Sequence, residues 1–175
     1  MTLELVNTPL LSLNADAIVN RTNMGLQYTD GLCGEIFEAA GKLPLQHALC
    51  TIGNCNVGEA VVTDGFNLKA KHIIHAVPPR WCGGKHGEDL LLEHCYKSVL
   101  TLANKLDIKT LAIPLLSEDR CGYPLDRGLA VAKKAILTFP FTVSRVNTPF
   151  SYSSDFASYR FFSLSKRQKN GTAHR

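Results

Sequence analysis

Two short stretches carry the residue types from which chemistry could be built. The first is Asn20-Arg21-Thr22-Asn23 leading to Gly31-Leu32-Cys33-Gly34. The second is Ser117-Glu118-Asp119-Arg120-Cys121-Gly122-Tyr123-Pro124. Each follows an apolar run and precedes a helical pattern, and each contains glycine where the chain must turn. Such junctions direct successive backbone N–H groups at one point, and the field of the following helix favours an anion there. A diphosphate is the natural guest; a plain tight connection is the simpler alternative. The side chains add a carboxamide at Asn23, which can hold a hydroxyl or a water. They also add a thiol at Cys33, which could attack as a nucleophile, although a small Cys also simply fills a helix start.

Other chemistry finds less support. Cys50-x4-Cys55 with His47, and Cys82-x3-His86 with His94, form no recognised paired set, so no metal is expected. His72 and His75 share one expected strand three residues apart, which puts them on opposite faces; His75 reads as a core histidine. No cofactor is implied by these patterns.

The elements that would position the two stretches are readable from periodicity. Leu3–Val6, Ala17–Asn20, Ala60–Thr63, His72–Val77 and Thr110–Leu116 read as strands, with Phe141–Val146 a weaker sixth. Their apolar runs mostly do not alternate, as expected of strands covered on both faces. Gly31–Ala40, Leu43–Cys50, a long helix ending near Lys105 and another after Pro124 supply helical spacing. The alternation predicts an α/β fold with a largely parallel sheet between helical layers. In such sheets ligands bind beyond the carboxyl ends of the strands, where both stretches lie.

Composition bounds the class. The 175 residues are 45% hydrophobic and 19% charged, which suits one globular domain. No apolar run approaches the roughly 20 residues of a membrane span, and the opening Met1-Thr2-Leu3-Glu4 has no basic-then-apolar pattern. With six scattered cysteines, a cytoplasmic protein with reduced thiols is expected. The net charge of +4 comes from residues 147–175, which hold five Lys/Arg against one Asp. The preceding 146 residues are neutral and suggest no nucleic-acid surface. We therefore expect a domain over 1–146 and an irregular basic extension over 147–175.

The ordered motifs resemble the macrodomain family. They run Asp16-Ala17-Ile18-Val19-Asn20-x-x-Asn23, then Cys33-Gly34-x-Ile36-Phe37-x-Ala39-Ala40-Gly41 and Gly58-Glu59-Ala60-Val61-Val62-Thr63. Lys71-His72-Ile73-Ile74-His75-Ala76-Val77, Ile113-Pro114-Leu115-Leu116-Ser117 and Gly122-Tyr123-Pro124 follow. The match spans Asp16 to about Leu137. It implies a three-layer α/β/α fold with a mixed, mostly parallel central sheet and an ADP-ribose cleft between the two loops. By the same resemblance, Asn23 lies by the distal ribose. Gly31, Leu32, Cys33 and Gly34 reach the diphosphate, and Ser117, Cys121, Gly122 and Tyr123 clasp it from the other side. Ile18 and Asn20 belong to the same ligand-binding set, and Asn23 and Cys33 are the catalytic candidates. The implied ligand is ADP-ribose or a derivative, ADP-ribosylated protein included.

The chain also departs from the family pattern. Where members carry an Asp for the adenine amine it has Pro9, with neither carboxylate nor N–H. Tyr28-Thr29-Asp30 replaces part of a glycine run, and Glu118 and Asp119 replace small residues; Arg120 is expected to offset them by pairing with phosphate. Cys33 and Phe37 stand where one hydrolase branch has Asp and His. Two functions stay open: hydrolysis of O-acetyl-ADP-ribose or of ADP-ribosyl esters on protein, and ligand binding without turnover.

Overall fold

The structure, a computed structural model, describes residues 2–6, 8–118, 121–140 and 161–165. Six strands form one sheet: β1 (Thr2–Val6), β2 (Ala17–Arg21), β3 (Ala60–Asp64), β4 (His72–Ala76), β5 (Thr110–Pro114) and β6 (Phe161–Ser165). Four helices accompany them: α1 (Leu32–Ala40), α2 (Lys42–Ile52), α3 (Glu88–Lys105) and α4 (Leu125–Thr138). The strand order is β1-β6-β5-β2-β4-β3. β2 is parallel to both β4 and β5, whereas β3 and β6 run against their neighbours. Four of the six strands thus share one direction in a mixed sheet.

The strand alternation explains the layers. Ala17 and Val19 of β2, Ile74 and Ala76 of β4, and Leu111 and Ile113 of β5 pack with Leu92, Tyr96 and Val99 of α3 and Ala132 and Ile136 of α4. The alternate residues Ile18, Ile73 and Ala112 pack with Ile36 and Phe37 of α1 and Leu45 and Leu49 of α2. Both faces of the central strands are therefore dry, which is why their sequences read as near-continuous apolar runs. The three-layer α/β/α arrangement follows from that alternation.

One difference lies in the extension from Asn147, which contributes Phe161–Ser165 as β6, between β1 and β5. That stretch is regular rather than irregular; the ladders on either side supply what its local pattern does not. The weaker strand expected at Phe141–Val146 and the rest of the extension lie outside the described residues.

The topology decides where a site can form. β2, β4 and β5 end on the same side of the sheet, so the loops after them converge there, joined by the loop leading into antiparallel β3. β2 pairs with β4 along five residues but with β5 only at Ala17↔Leu111 and Ile18↔Ala112. The far ends of β2 and β5 are not laddered together. At the opposite end Asp16 clamps the two strands: its Oδ2 accepts from the N–H groups of Lys109 (3.0 Å) and Thr110 (2.8 Å) and from Thr110 Oγ1 (3.0 Å). Partial burial works to raise the Asp16 carboxyl, but these bonds and Lys71 outweigh it and hold it below its ordinary range. No described helix is long and apolar enough to cross a membrane.

Candidate functional site

At the converging strand ends lies a cleft of about 670 Å³, within the ~300–1,000 Å³ usual for small-molecule sites. The β2–α1 loop gives it Arg21, Thr22, Asn23, Met24, Thr29, Asp30, Gly31, Leu32 and Cys33. The segment after β4 gives Val77, Pro78 and Arg80; Val57 and Cys121 complete the lining.

The α1 start forms one wall. Gly31 precedes the helix with φ 77° and ψ −147°, and no side chain caps it. The first intrahelical bond is Glu35 N–H to the Gly31 carbonyl (3.0 Å). The N–H groups of Leu32, Cys33 and Gly34 precede that bond and lack helical partners. Gly34 lies under Tyr28: a Cβ there would come 2.9 Å from Tyr28 Oη and 3.0 Å from the Thr29 carbonyl. Tyr28 itself turns onto the helix, edge-on to Phe37 (5.5 Å, 81°) with Lys42 over its ring, and is not part of the lining. The residues replacing the glycine run therefore split: Tyr28 leaves the cleft while Thr29 and Asp30 face it.

A buried polar chain stands behind this wall. Asn20 Nδ2 donates to His75 Nδ1 (3.1 Å) and to Cys33 Sγ (3.6 Å). His75 Nε2 bonds Thr63 Oγ1 (2.9 Å), and that hydroxyl donates to the Asp64 carbonyl (3.1 Å). This direction of donors requires the Nε2–H tautomer of His75. Burial pushes His75 down to about 3, so it is neutral. His75 is thus a satisfied core histidine that links β3 and β4 to Asn20 and the α1 start.

Arg21 crosses between the two loops, its Nη1 donating to the Glu118 carbonyl. In the second loop Ser117 is 2% exposed, with Oγ close against α4; a Cβ on Gly128 would lie 2.1 Å from it. Gly122 has φ 69°, and Tyr123 packs on Trp81 (4.9 Å). Burial, with Asp89 and Glu88 nearby, pushes the Tyr123 phenol well above its ordinary value.

Of the residues singled out from sequence, Asn23, Gly31, Leu32, Cys33 and Cys121 line the cleft together. Asn20 in β2, Gly34 in α1, and Ser117, Gly122 and Tyr123 in the second loop lie outside that lining, and Ile18 is core. Arg120 lies outside the described residues. Asp30, which the sequence already set against the phosphates, and Arg80, which follows an apolar strand and could either shape an end of the cleft or cap the layer, both line it; Thr22 is the lining residue that motif reasoning passed over. Among the described residues, the buried side-chain oxygens without a hydrogen-bond partner in the protein are Asn20 Oδ1, Thr22 Oγ1, Ser117 Oγ and Tyr123 Oη. All four belong to the ends of β2 and β5 or to the loops that follow.

The Macro domain family model matches residues 19–132, which include most of both loops. The chain belongs to the macro domain family. A macro domain-containing protein of Methanosarcina mazei is 41% identical over 130 residues, covering 74% of this chain and 69% of its own. An O-acetyl-ADP-ribose deacetylase 1 of Pantoea vagans is 38% identical over 132 residues, covering 73% of this chain and 76% of its own. Among solved structures, a mutant Oceanobacillus iheyensis macrodomain with ADPR superposes at a TM-score of 0.70. It is 28% identical and covers 75% of this macro domain chain and 74% of its own. Thr29 and Asp30, two of the residues that the resemblance sets against a glycine run, both lie on the wall of this macro domain's cleft.

Proposed function

We propose that the cleft binds ADP-ribose or an ADP-ribosyl derivative, with the diphosphate at the α1 start and the distal ribose beside Asn23. The observation that carries this reading is the α1 start on the cleft wall, where the Leu32 and Cys33 N–H groups lack helical partners. Buried polar atoms in folded proteins are nearly always partnered; Thr22 Oγ1, buried without a protein partner, belongs to a lining residue, and a ligand rich in hydroxyls and phosphate oxygens supplies it one. The uncapped N–H groups of Leu32, Cys33 and Gly34 supply the complementary anion contact. The relative with ADPR and the relative named as a deacetylase support the same ligand class.

For the reaction, we propose ester hydrolysis at the distal ribose. A water held between the Asn23 carboxamide and a phosphate oxygen attacks the ester carbonyl. The C–O bond to the ribose oxygen breaks, that oxygen takes up a proton as the ribose hydroxyl, and the acid is released. Preorganised loop N–H groups would supply much of the rate by fixing this geometry. Cys33 as the alternative nucleophile has less support, since the residue is 4% exposed and its Sγ accepts from Asn20 Nδ2 (3.6 Å). One observation favours a binding module instead: Asn23 already bridges its own loop, Oδ1 accepting from Gln27 N–H (3.1 Å) and Nδ2 reaching the Gln27 carbonyl (3.5 Å). Calorimetry with ADP-ribose tests binding, and mass-spectrometric turnover of O-acetyl-ADP-ribose tests the reaction. Tight binding, no turnover and an Asn23→Ala variant that binds like the wild type would leave the module reading standing and remove the hydrolase. A protein-linked ADP-ribosyl ester and a cytosolic setting belong to the same proposal.

A further inference from the structure

The cleft has a second cationic wall, and its construction is separate from the α1 start. Arg80 follows Val77-Pro78-Pro79 at the end of β4 and lines the cleft with its residue exposed. Two prolines fix the backbone that carries it. The next residue is held on three sides: Trp81 N–H donates to the Cys121 carbonyl (2.7 Å), its ring lies against Tyr123 (4.9 Å, 51°), and the Arg127 guanidinium covers it (4.8 Å). Beyond it the strap closes around one carboxylate. Glu88, 3% exposed, accepts the N–H of Cys82 and Gly84 on Oε1 (3.0 Å each) and of His86 on Oε2 (2.7 Å). An arginine is thereby presented on a rigid base, while its own side chain makes no ion pair among the described residues.

The other charges of the lining are differently engaged. Arg21 is bound to the Glu118 carbonyl across the loops. Asp30 places a carboxylate on the wall with the α1 start, where it opposes an anionic guest. Among the described lining residues Arg80 is the exposed guanidinium suited to hold a diphosphate with two parallel N–H donors.

We propose that Arg80 is a ligand-binding residue that selects phosphate-bearing ligands by charge, and that Glu88 is its positioning residue, acting through the 80–86 strap. This rests on the reading of the cleft as an ADP-ribose site, and it adds the group that makes recognition there depend on the diphosphate.

The test is calorimetry with ADP-ribose and with ADP, at low and high salt, on wild type and on Arg80→Ala, Arg80→Lys, Glu88→Gln and the Arg80→Ala/Glu88→Gln double variant. Arg80→Ala keeps the wild-type thermal midpoint because the side chain is exposed and unpaired, and it weakens both ligands by about tenfold or more at low salt. That gap narrows at high salt, as screening predicts for a charge contact, and Arg80→Lys recovers part of it. Glu88→Gln weakens binding alone and adds nothing to Arg80→Ala, since its effect passes through Arg80. If the wild type binds and Arg80→Ala matches it, or the gap ignores salt, the assignment of Arg80 fails while the cleft reading stands. A full Glu88→Gln penalty in the Arg80→Ala background removes Glu88 as its positioning residue. A wild type that binds neither ligand removes the cleft reading and this inference with it.

Discussion

His75 shows how a single side chain carries both stability and site geometry. Its two ring nitrogens join Asn20 to Thr63 in a fully buried chain. Replacing it with Leu leaves the Asn20 amide and the Thr63 hydroxyl buried with a partner lost, at a cost of about 2–4 kcal/mol. Denaturant unfolding reads that loss; a variant within error of wild type would mean that the chain contributes nothing. The neutral state adds a pH dependence. Because the folded value is about 3 against 6.5 unfolded, the unfolded chain binds the extra proton between those values. The contribution is whole above about pH 6.5 and falls as pH drops toward 3, by roughly 1 kcal/mol per pH unit. His75→Asn keeps a hydrogen-bonding group toward Asn20 but cannot titrate, so its stability profile flattens between pH 6.5 and 4.5 relative to wild type. Equal slopes would refute the assignment. Gly128 makes a simpler case. A methyl there meets Ser117 Oγ at 2.1 Å, so Gly128→Ala should cost about 1–3 kcal/mol by overpacking. Adding Ser117→Gly should return part of it in the same melt.

At the scale of elements, the central strands and all four helices could be read locally, because each carries its own period. The α1 start could be read because Gly31 precedes an apolar helical pattern; what it needed glycine for could not. The conformation at φ 77° and ψ −147° is one that side-chain-bearing residues strongly avoid. A Cβ at Gly31 would touch nothing within 4 Å, so the penalty of Gly31→Ala is backbone strain alone, about 1–3 kcal/mol. The expected outcome is a lowered melting temperature together with weaker ADP-ribose binding, since relaxing the strain re-aims the Leu32 and Cys33 N–H groups. Unchanged melting would show that the loop tolerates L-residues there. The strap after β4 escaped the sequence for a different reason. Nothing in Cys82-Gly83-Gly84-Lys85-His86 announces that three of its N–H groups converge on one carboxylate. Those bonds outweigh desolvation and hold Glu88 at about 2, so the strap keeps its anchor at any pH above the usual carboxylate range. Glu88→Gln should speed amide exchange at Cys82, Gly84 and His86 and leave α4 unaffected. Equal protection in both proteins would show that the strap does not need the charge.

For the whole molecule, the consequential element is the one that local pattern could not reveal. Phe161-Phe162-Ser163-Leu164-Ser165 sits in a Ser- and Phe-rich stretch without helical or strand periodicity over its neighbourhood. Its partners, Thr2–Val6 and Thr110–Pro114, lie far away in sequence. Strandedness here is conferred by two ladders, a non-local term that a window of residues does not contain. The arrangement makes β6 a keystone. Among the described residues β1 joins the sheet only through β6, and without β6 the β5 edge away from β2, next to the second loop of the cleft, would be free. Leu164 pairs with Leu3 on one side and Leu111 on the other. Proline at 164 removes a ladder donor from an interior strand, which sheets do not tolerate away from their edges. Leu164→Pro should therefore detach β1 and expose the β5 edge, and an exposed edge recruits other chains. Light scattering should show more concentration-dependent association for Leu164→Pro, and for a chain ended at Pro140, than for the wild type. Leu164→Val, which keeps the N–H and suits a strand, serves as the control and should behave as wild type. If Leu164→Pro stays as dispersed as wild type and keeps its melting temperature, β6 is not what closes the sheet, and Arg21, Trp81 and α4 hold the second loop without it.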